Sequence, residues 1–111
     1  MLTPGKWYVG DTIRLAQNYQ DEDGVDLDPD TVTLEILAPD YTSTTYVYGT
    51  DDELVRLDTG DYYCDFAPDD SGRWTYRWTS TGTGTSSVKV GRFVVQVDPW
   101  NDRVTSGYTS A

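Results

Sequence analysis

The sequence contains no histidine and only one cysteine, Cys64. Without histidine there is no Ser-His-Asp triad, no Cys-His pair and no imidazole that could bind zinc or carry protons near neutral pH. A single cysteine cannot form an intrachain disulfide, so nothing in the sequence requires an oxidising compartment. The sequence also lacks a signal-peptide pattern and any apolar run of about 18 residues. We therefore expect a protein that is made in a cytoplasm and does not enter a membrane.

Positive charge is also scarce. Eight Lys and Arg residues stand against nineteen Asp and Glu residues, which gives a net charge of −11. Proteins that bind nucleic acid gain much of their affinity by neutralising phosphates, and anionic lipid surfaces attract basic segments by the same force. The charge balance therefore predicts neither a nucleic-acid partner nor a membrane partner.

The 111 residues are enough for one hydrophobic core. Apolar residues alternate with polar ones in short segments that end at Gly, Asp, Pro or Ser/Thr clusters, and no segment has a helical apolar period. This pattern predicts an all-β, antiparallel, immunoglobulin-like sandwich of about seven strands. The inward positions predict a core of nine residues: Leu34, Ile36, Cys64, Phe66, Trp74, Tyr76, Trp78, Phe93 and Val95.

The alternation is confined to the middle of the chain. It predicts an N-terminal arm at residues 1–8, the sandwich at 9–97 and an irregular C-terminal arm at 98–111. Four aromatic residues lie outside the alternation and are candidate interface residues: Trp7, Tyr8, Trp100 and Tyr108. We expect the arms to order on a partner, by adding a strand to a sheet edge or by inserting an aromatic side chain into a pocket.

A local motif concerns the turn at residues 58–64, with the sequence D-T-G-D-Y-Y-C. It resembles the D-x-G-x-Y-x-C tyrosine corner of immunoglobulin-like domains, in which a buried tyrosine hydroxyl bonds to the preceding turn. The resemblance assigns structural roles to Asp58, Gly60 and Tyr62. It implies a hydrogen bond from the Tyr62 hydroxyl to the backbone near residues 57–59.

A longer resemblance covers residues 8–97. It is carried by V-G-D-T (9–12), Q-D-E-D-G (20–24), D-P-D-T-V-T-L (28–34), G-D-Y-Y-C-D-F-A-P (60–68), S-G-R-W-T-Y-R-W (71–78) and G-R-F-V-V (91–95). These segments resemble small immunoglobulin-like proteins encoded among the structural genes of tailed bacteriophages. The resemblance implies a virion protein that is assembled in the host cytoplasm.

Two residue clusters allow a functional and a structural interpretation. The acidic stretch 21–30 has oxygen ligands that calcium prefers, but its order does not match an EF-hand, so a solvated turn is the favoured interpretation. Trp74, Tyr76 and Trp78 share one strand face and could stack on sugar rings, yet a sandwich of this length needs bulky inward residues. Core packing is therefore favoured for these three, and an apolar filler role is favoured for Cys64.

No catalytic residue, metal site or cofactor is predicted, because no catalytic or phosphate-binding motif occurs. The expected function is that of a non-enzymatic accessory structural protein of a tailed-phage virion. It would dock on capsid, neck or tail proteins and become oligomeric, if at all, through particle assembly. The alternative is a bacterial surface immunoglobulin-like module that binds glycan or protein.

Overall fold

The computed structural model describes residues 6–82, 84 and 86–97, and strands are the only regular secondary structure in them. The strands are β1 (Lys6–Tyr8), β2 (Ile13–Asn18), β3 (Thr31–Leu37), β4 (Ser43–Val47), β5 (Leu54–Asp58), β6 (Asp61–Phe66), β7 (Gly72–Thr81) and β8 (Ser87–Gln96). One sheet has the order β1-β8-β7-β3-β4 and the other β2-β6-β5. The predicted all-β sandwich is confirmed, with eight strands. No described segment is a helix that could cross a bilayer.

The core lies between the inner faces of the two sheets. Strand β3 shows why, because Val32, Leu34 and Ile36 occupy alternate positions and all three are buried. Successive side chains of a strand point to opposite faces, so this alternation places every second residue inside. Burying one such side chain contributes about 1.5–3 kcal/mol.

Seven of the nine predicted core residues are buried: Leu34, Ile36, Cys64, Trp74, Trp78, Phe93 and Val95. Phe66 and Tyr76 are only partly buried and pack against this core. The Phe66 ring meets the Trp74 ring edge to face, with 5.2 Å between the ring centroids. The Tyr76 ring lies over Gly91, where any Cβ would overlap it. The Tyr76 ring therefore fits at this position only because residue 91 is a glycine.

Residues 6–8, which the sequence predicts to lie in an N-terminal arm, instead form a strand of the larger sheet. Strand β1 pairs in parallel with β8, with Trp7 opposite Val95. The Val9 N–H continues the pairing by donating to the Gln96 carbonyl at 3.0 Å. A strand of three residues is too short to show alternation, so the sequence pattern could not reveal it.

Candidate functional site

The predicted tyrosine corner has a different acceptor from the expected one. The Tyr62 hydroxyl donates to the Asp28 carboxylate at 3.0 Å and not to the backbone near residues 57–59. Asp28 precedes β3 and is distant in sequence, so a motif confined to residues 58–64 could not identify it. The prediction of a local backbone acceptor was wrong.

The motif also lies on another strand than the resemblance implies. In constant-type immunoglobulin domains one sheet contains strands B, E and D and the other contains C, F and G, with the corner tyrosine near the start of F. Here β2, β6 and β5 correspond to B, E and D, and β3, β7 and β8 correspond to C, F and G. Tyr62 lies on β6 and therefore on the strand that corresponds to E.

The Asp28 carboxylate binds three groups at the corner. Besides Tyr62 it accepts the Gly60 N–H at 2.8 Å, and Arg56 donates to it from Nη2 at 2.9 Å and from Nε. These donors, the Arg56 guanidinium first, lower the pKa of Asp28 to about 2. Burial and the neighbouring carboxylate raise the pKa of Tyr62 to about 12. Across the neutral range Tyr62 therefore keeps the proton that it donates and Asp28 stays ionised as the acceptor, which is a structural role.

Glycine is required within this corner at residue 60. Gly60 has a φ of +78°, and a Cβ there would lie 2.5 Å from the Tyr19 carbonyl oxygen. The remaining corner residue, Asp58, accepts the N–H of Thr59 at 2.7 Å. Asp58 therefore orders the turn, while Gly60 allows a second chain segment to approach it.

The buried tryptophans cannot serve as a sugar-binding platform in the folded chain. Trp74 is 4% exposed and Trp78 is 1% exposed. Cys64 is equally enclosed, and burial raises the pKa of its thiol to about 11. At neutral pH the thiol is protonated, so it lacks the thiolate that a nucleophile needs.

The candidate interface aromatics divide into two pairs. Trp7 packs against the sandwich core, and Tyr8 follows it on the same short strand with an intermediate exposure. Trp7 is therefore engaged within its own domain. Trp100 and Tyr108 lie outside the described residues.

The acidic stretch 21–30 is organised by local hydrogen bonds. Asp21 accepts the N–H groups of Asp23 and Val25 at 2.8 and 3.0 Å. Asp26 accepts the side-chain amides of Asn18 and Gln20. Within the part of the chain that the structure describes, no group of three acidic or cysteine side chains is placed to hold a metal ion.

Charge is divided unevenly along the chain. Residues 71–97 contain four basic and no acidic residues, a net charge of +4, whereas the rest contains four basic and nineteen acidic residues, a net charge of −15. Strands β7 and β8 lie in the positive segment and pair with each other over their whole length. The outer face of β7 and β8 therefore carries no acidic side chain in a strongly acidic molecule.

This outer face combines exposed apolar side chains with arginines. On β8 the outward positions include Val88, Val90 and Val94, which are all exposed. Arg73 and Arg77 on β7 and Arg92 on β8 point to the same side, because Arg73 is opposite Val94 and Arg77 is opposite Val90. The sequence interpretation singled out none of these residues, although the absence of acidic residues from 71–97 would have indicated the face.

One cleft lies where this face meets the turn between β3 and β4. It has a volume of about 290 Å³ and is lined by Leu37, Ala38, Pro39, Tyr41, Arg73, Thr75 and Arg92. Tyr41 is 80% exposed and has a φ of 70°, in the left-handed region. Leu37 and Thr75 also line an adjoining cleft of about 270 Å³, which extends to Val90. The two clefts form a continuous strip across the outer face.

Comparison with known proteins supports the fold alone. No family model matches this sequence, and no curated protein matches it. Among solved structures, the chain is similar to a protein from Bacteroides vulgatus ATCC 8482 that is provisionally assigned as a glycoside hydrolase, with a TM-score of 0.56 and 16% identity. The similarity covers 88% of this chain and 17% of the other. The sandwich thus corresponds to a small part of a much larger protein.

Proposed function

We propose that this chain is a non-enzymatic accessory structural protein of a tailed-phage virion, which docks on capsid, neck or tail proteins. The observation that carries the docking role is the outer face of the larger sheet, where exposed valines lie beside arginines on an otherwise acidic molecule. Exposed apolar groups within a polar surround mark sites of protein association. The virion setting rests on the sequence resemblance over residues 8–97.

The proposal that the chain is not an enzyme rests on its chemistry. It has no histidine, and its single thiol is buried and protonated. The carboxylates of Asp28, Asp65 and Glu35 each form an ion pair with an arginine. An acid or base poised for catalysis needs a pKa near the working pH, whereas the arginine partners lower the pKa of Asp28 and of Asp65.

The proposal is tested by following the chain into particles. Tailed particles assembled with the chain are purified by density gradient and probed with an antibody against it. We expect the wild-type chain to cosediment with the particles. Absence of the chain from purified particles would refute the virion role.

A pair of matched variants tests the docking face in the same assay. Val90 is 55% exposed on the outer face, and Val25 is 59% exposed in the acidic turn on another part of the surface. Val90→Asp should reduce incorporation at least tenfold, whereas Val25→Asp should incorporate like the wild type. Equal incorporation of both variants would show that the outer face of the larger sheet is not the docking surface.

The second candidate is a bacterial surface module that binds glycan or protein. The specific observation in its favour is the similarity to part of a protein provisionally assigned as a glycoside hydrolase. Because Trp74 and Trp78 are buried, a sugar would have to stack on an exposed ring such as Tyr41. Affinity electrophoresis in gels that contain soluble polysaccharides tests this function, since retardation that Tyr41→Ala abolishes would favour it over the virion role.

A further inference from the structure

We infer that the cleft lined by Tyr41, Arg73 and Arg92 binds an acidic segment of a partner protein, in which a carboxylate side chain is flanked by apolar ones. This inference deepens the proposed docking function and rests on it. It names the chemistry that the partner must present.

The first argument is the pairing of the arginines. Arg14 and Arg56 form ion pairs with Asp65 and Asp28 at 2.8 and 2.9 Å. Arg77, on the outer face itself, pairs with Glu35. Over the described ranges, Arg73 and Arg92 have no carboxylate within ion-pair distance, although the chain contains nineteen acidic residues. Within the described ranges, two arginines of the outer face thus have no carboxylate partner, in a molecule with a large excess of anions.

The second argument is the relative position of these two cations. Arg73 is opposite Val94 and Arg92 is opposite Thr75, so the two arginines are diagonal neighbours on one face of the β7–β8 ladder. Each guanidinium presents several N–H donors in a planar fork that matches the two oxygens of a carboxylate. A single acidic side chain, or two that alternate along an extended segment, can be bound by this pair.

The third argument is the exposed tyrosine at the edge of the cleft. A non-glycine residue rarely adopts the left-handed region, because its Cβ comes too close to the following carbonyl oxygen, and Tyr41 has a φ of 70°. The turn is nevertheless held in place, because the Tyr41 N–H donates to the Ala38 carbonyl at 2.9 Å and Pro39 rests on Gly72. A Cβ on Gly72 would lie 2.8 Å from the Pro39 ring. Tyr41 is therefore fixed beside the start of β7 with its ring in solvent.

The nearest acidic neighbour does not occupy the cleft. Asp40 directly precedes Tyr41, but its Oδ1 accepts the N–H of Thr42 at 3.0 Å. Asp40 lines a separate cleft on the other side of the turn, together with Asp69 and Asp70. The acidic and the basic residues around this turn are thus separated onto different surfaces.

The adjoining cleft adds apolar surface beside the Arg77–Glu35 ion pair, which also lines it. Leu37 and Thr75 line both clefts, and Val90 and Ser43 continue the second one across the outer face. An extended segment places alternate side chains about 6.6–6.8 Å apart on one side, so a carboxylate at the arginines can be followed by an aliphatic side chain near Val90. The strip therefore favours a segment in which acidic and aliphatic residues are mixed.

The charge of the whole molecule argues against a nucleic acid in this cleft. Nucleic-acid binding requires several phosphate contacts, and each contact needs a cation. Residues 71–97 provide four cations, of which Arg77 is already paired with Glu35. The net charge of −11 repels those parts of a long polyanion that extend past the two arginines. A short segment with one or two carboxylates avoids most of this repulsion, because salt screens it over about 8–10 Å.

The test uses the full chain and a fluorescein-labelled peptide with the sequence Gly-Val-Asp-Val-Asp-Val-Gly, with fluorescence anisotropy as the readout. The control peptide carries Asn in place of both Asp residues and keeps the same shape. We expect the acidic peptide to bind at least tenfold more tightly than the amide peptide at about 50 mM salt. Equal binding of the two peptides, or no binding of either, would overturn the inference.

Charge-matched variants locate the binding. Arg73→Gln/Arg92→Gln should weaken acidic-peptide binding at least tenfold. Arg14→Gln/Lys89→Gln removes the same charge from residues that line neither cleft and should leave binding within about threefold of the wild type. If both double variants lose affinity alike, the effect is one of net charge and the cleft is not the site.

Tyr41→Gly separates binding from folding. Glycine adopts a positive φ without a Cβ clash, so the melting temperature should stay unchanged or rise. Peptide binding should fall at least threefold, because the exposed ring is lost. Unchanged binding with an unchanged melting temperature would remove Tyr41 from the site.

Two further outcomes would replace the proposed ligand by another, and two more separate this inference from the proposed function. Competition by duplex DNA or by inorganic phosphate at the same ionic strength would refute selectivity for carboxylates. Self-association in sedimentation, if Arg73→Gln/Arg92→Gln abolished it, would make the occupant an acidic surface of a second copy. Failure of peptide binding while the chain still enters particles would refute this inference and leave the proposed function standing. Selective peptide binding by a chain that does not enter particles would support this inference and refute the proposed function.

Discussion

At the scale of single residues, Asp28 stabilises a turn that is distant from it in the sequence. It connects β5, the turn that follows it and β6 through Arg56, Gly60 and Tyr62. More than a third of its side chain is exposed, so solvent screens the part of the interaction that comes from Arg56. The bonds from Gly60 and Tyr62 are partly buried and carry more of the stabilisation.

Asp28→Asn should lower the free energy of unfolding by about 1–2 kcal/mol at pH 7, because bonds to a charged acceptor are replaced by weaker ones. The pKa of Asp28 is about 2 in the folded protein and about 3.9 in an unfolded chain. The carboxylate therefore stabilises the fold fully above about pH 4, and this contribution is lost as the pH falls toward 2. Urea unfolding of both proteins at several pH values measures the difference. A difference that stays constant down to pH 2 would contradict the prediction.

Tyr62→Phe should cost about 1 kcal/mol, because it removes the bond to Asp28 and keeps the ring. The ring contacts remain, with the Tyr19 and Tyr48 centroids at 5.8 and 5.2 Å. Since Asp28→Asn weakens and Tyr62→Phe removes the same hydrogen bond, the double variant Asp28→Asn/Tyr62→Phe should be less destabilised than the sum of the two. Strict additivity in denaturant unfolding would show that the bond contributes nothing.

At the scale of strands, the edges of the larger sheet decide how the N-terminal segment is used. Strand β1 adds in parallel to β8 and covers that edge. The sequence predicts that residues 1–8 order on a neighbouring molecule, by adding a strand to a sheet edge or by inserting an aromatic side chain into a pocket. Residues 6–8 instead add the strand to their own sheet, which leaves β4 as the other edge of the larger sheet.

Trp7→Ala should destabilise the isolated protein by about 2 kcal/mol, because the indole packs against the core without being fully buried. Tyr8→Ala is the control, since Tyr8 lies on the same strand and faces the opposite way. We expect the control to lose less than half as much in thermal or urea unfolding. Equal losses would indicate that pairing of the strand, and not the indole, holds β1.

Calcium at millimolar concentration and EDTA should shift the melting temperature by no more than matched changes in salt do. The carboxylates of Asp21, Asp26 and Asp28 already accept hydrogen bonds from neighbouring groups, so they do not converge on one point. Differential scanning calorimetry with magnesium as the control cation checks this. A saturable rise of several degrees with calcium alone would reveal a site, because a ligand that binds only the native state must stabilise it.

At the scale of the whole molecule, charge is divided unevenly along the chain. The segment 71–97 has a net charge of +4 and the remaining residues have −15. The same strands that carry the positive charge also carry exposed valines on their outer face. A partner with an acidic, partly apolar surface would be attracted to this face and repelled by the others.

Deletion of residues 99–111 should leave the melting temperature nearly unchanged and abolish incorporation into particles. This prediction comes from the sequence, because the deleted residues lie outside the described part and show no strand alternation. Calorimetry and the gradient assay measure the two effects. Global unfolding of the truncated chain would make the segment part of the domain, and normal incorporation would leave docking to the sandwich faces.

The sequence by itself determined the fold class and most of the core. Alternation in β3, β6 and β7 is a property of each strand alone, because the side-chain period follows from local backbone geometry. It therefore predicted that Leu34, Cys64 and Trp78 point inward. The composition also excluded histidine-dependent chemistry, because a chain without histidine lacks it in any fold.

Only the tertiary structure decided which distant residues meet. Tyr62 and Asp28 are 34 residues apart, and their bond exists because the segment before β3 crosses the turn before β6. Tyr41, Arg73 and Arg92 come from two strands and a turn, and strand pairing alone brings them to one cleft. Such encounters depend on register and topology, which a local periodic pattern does not contain.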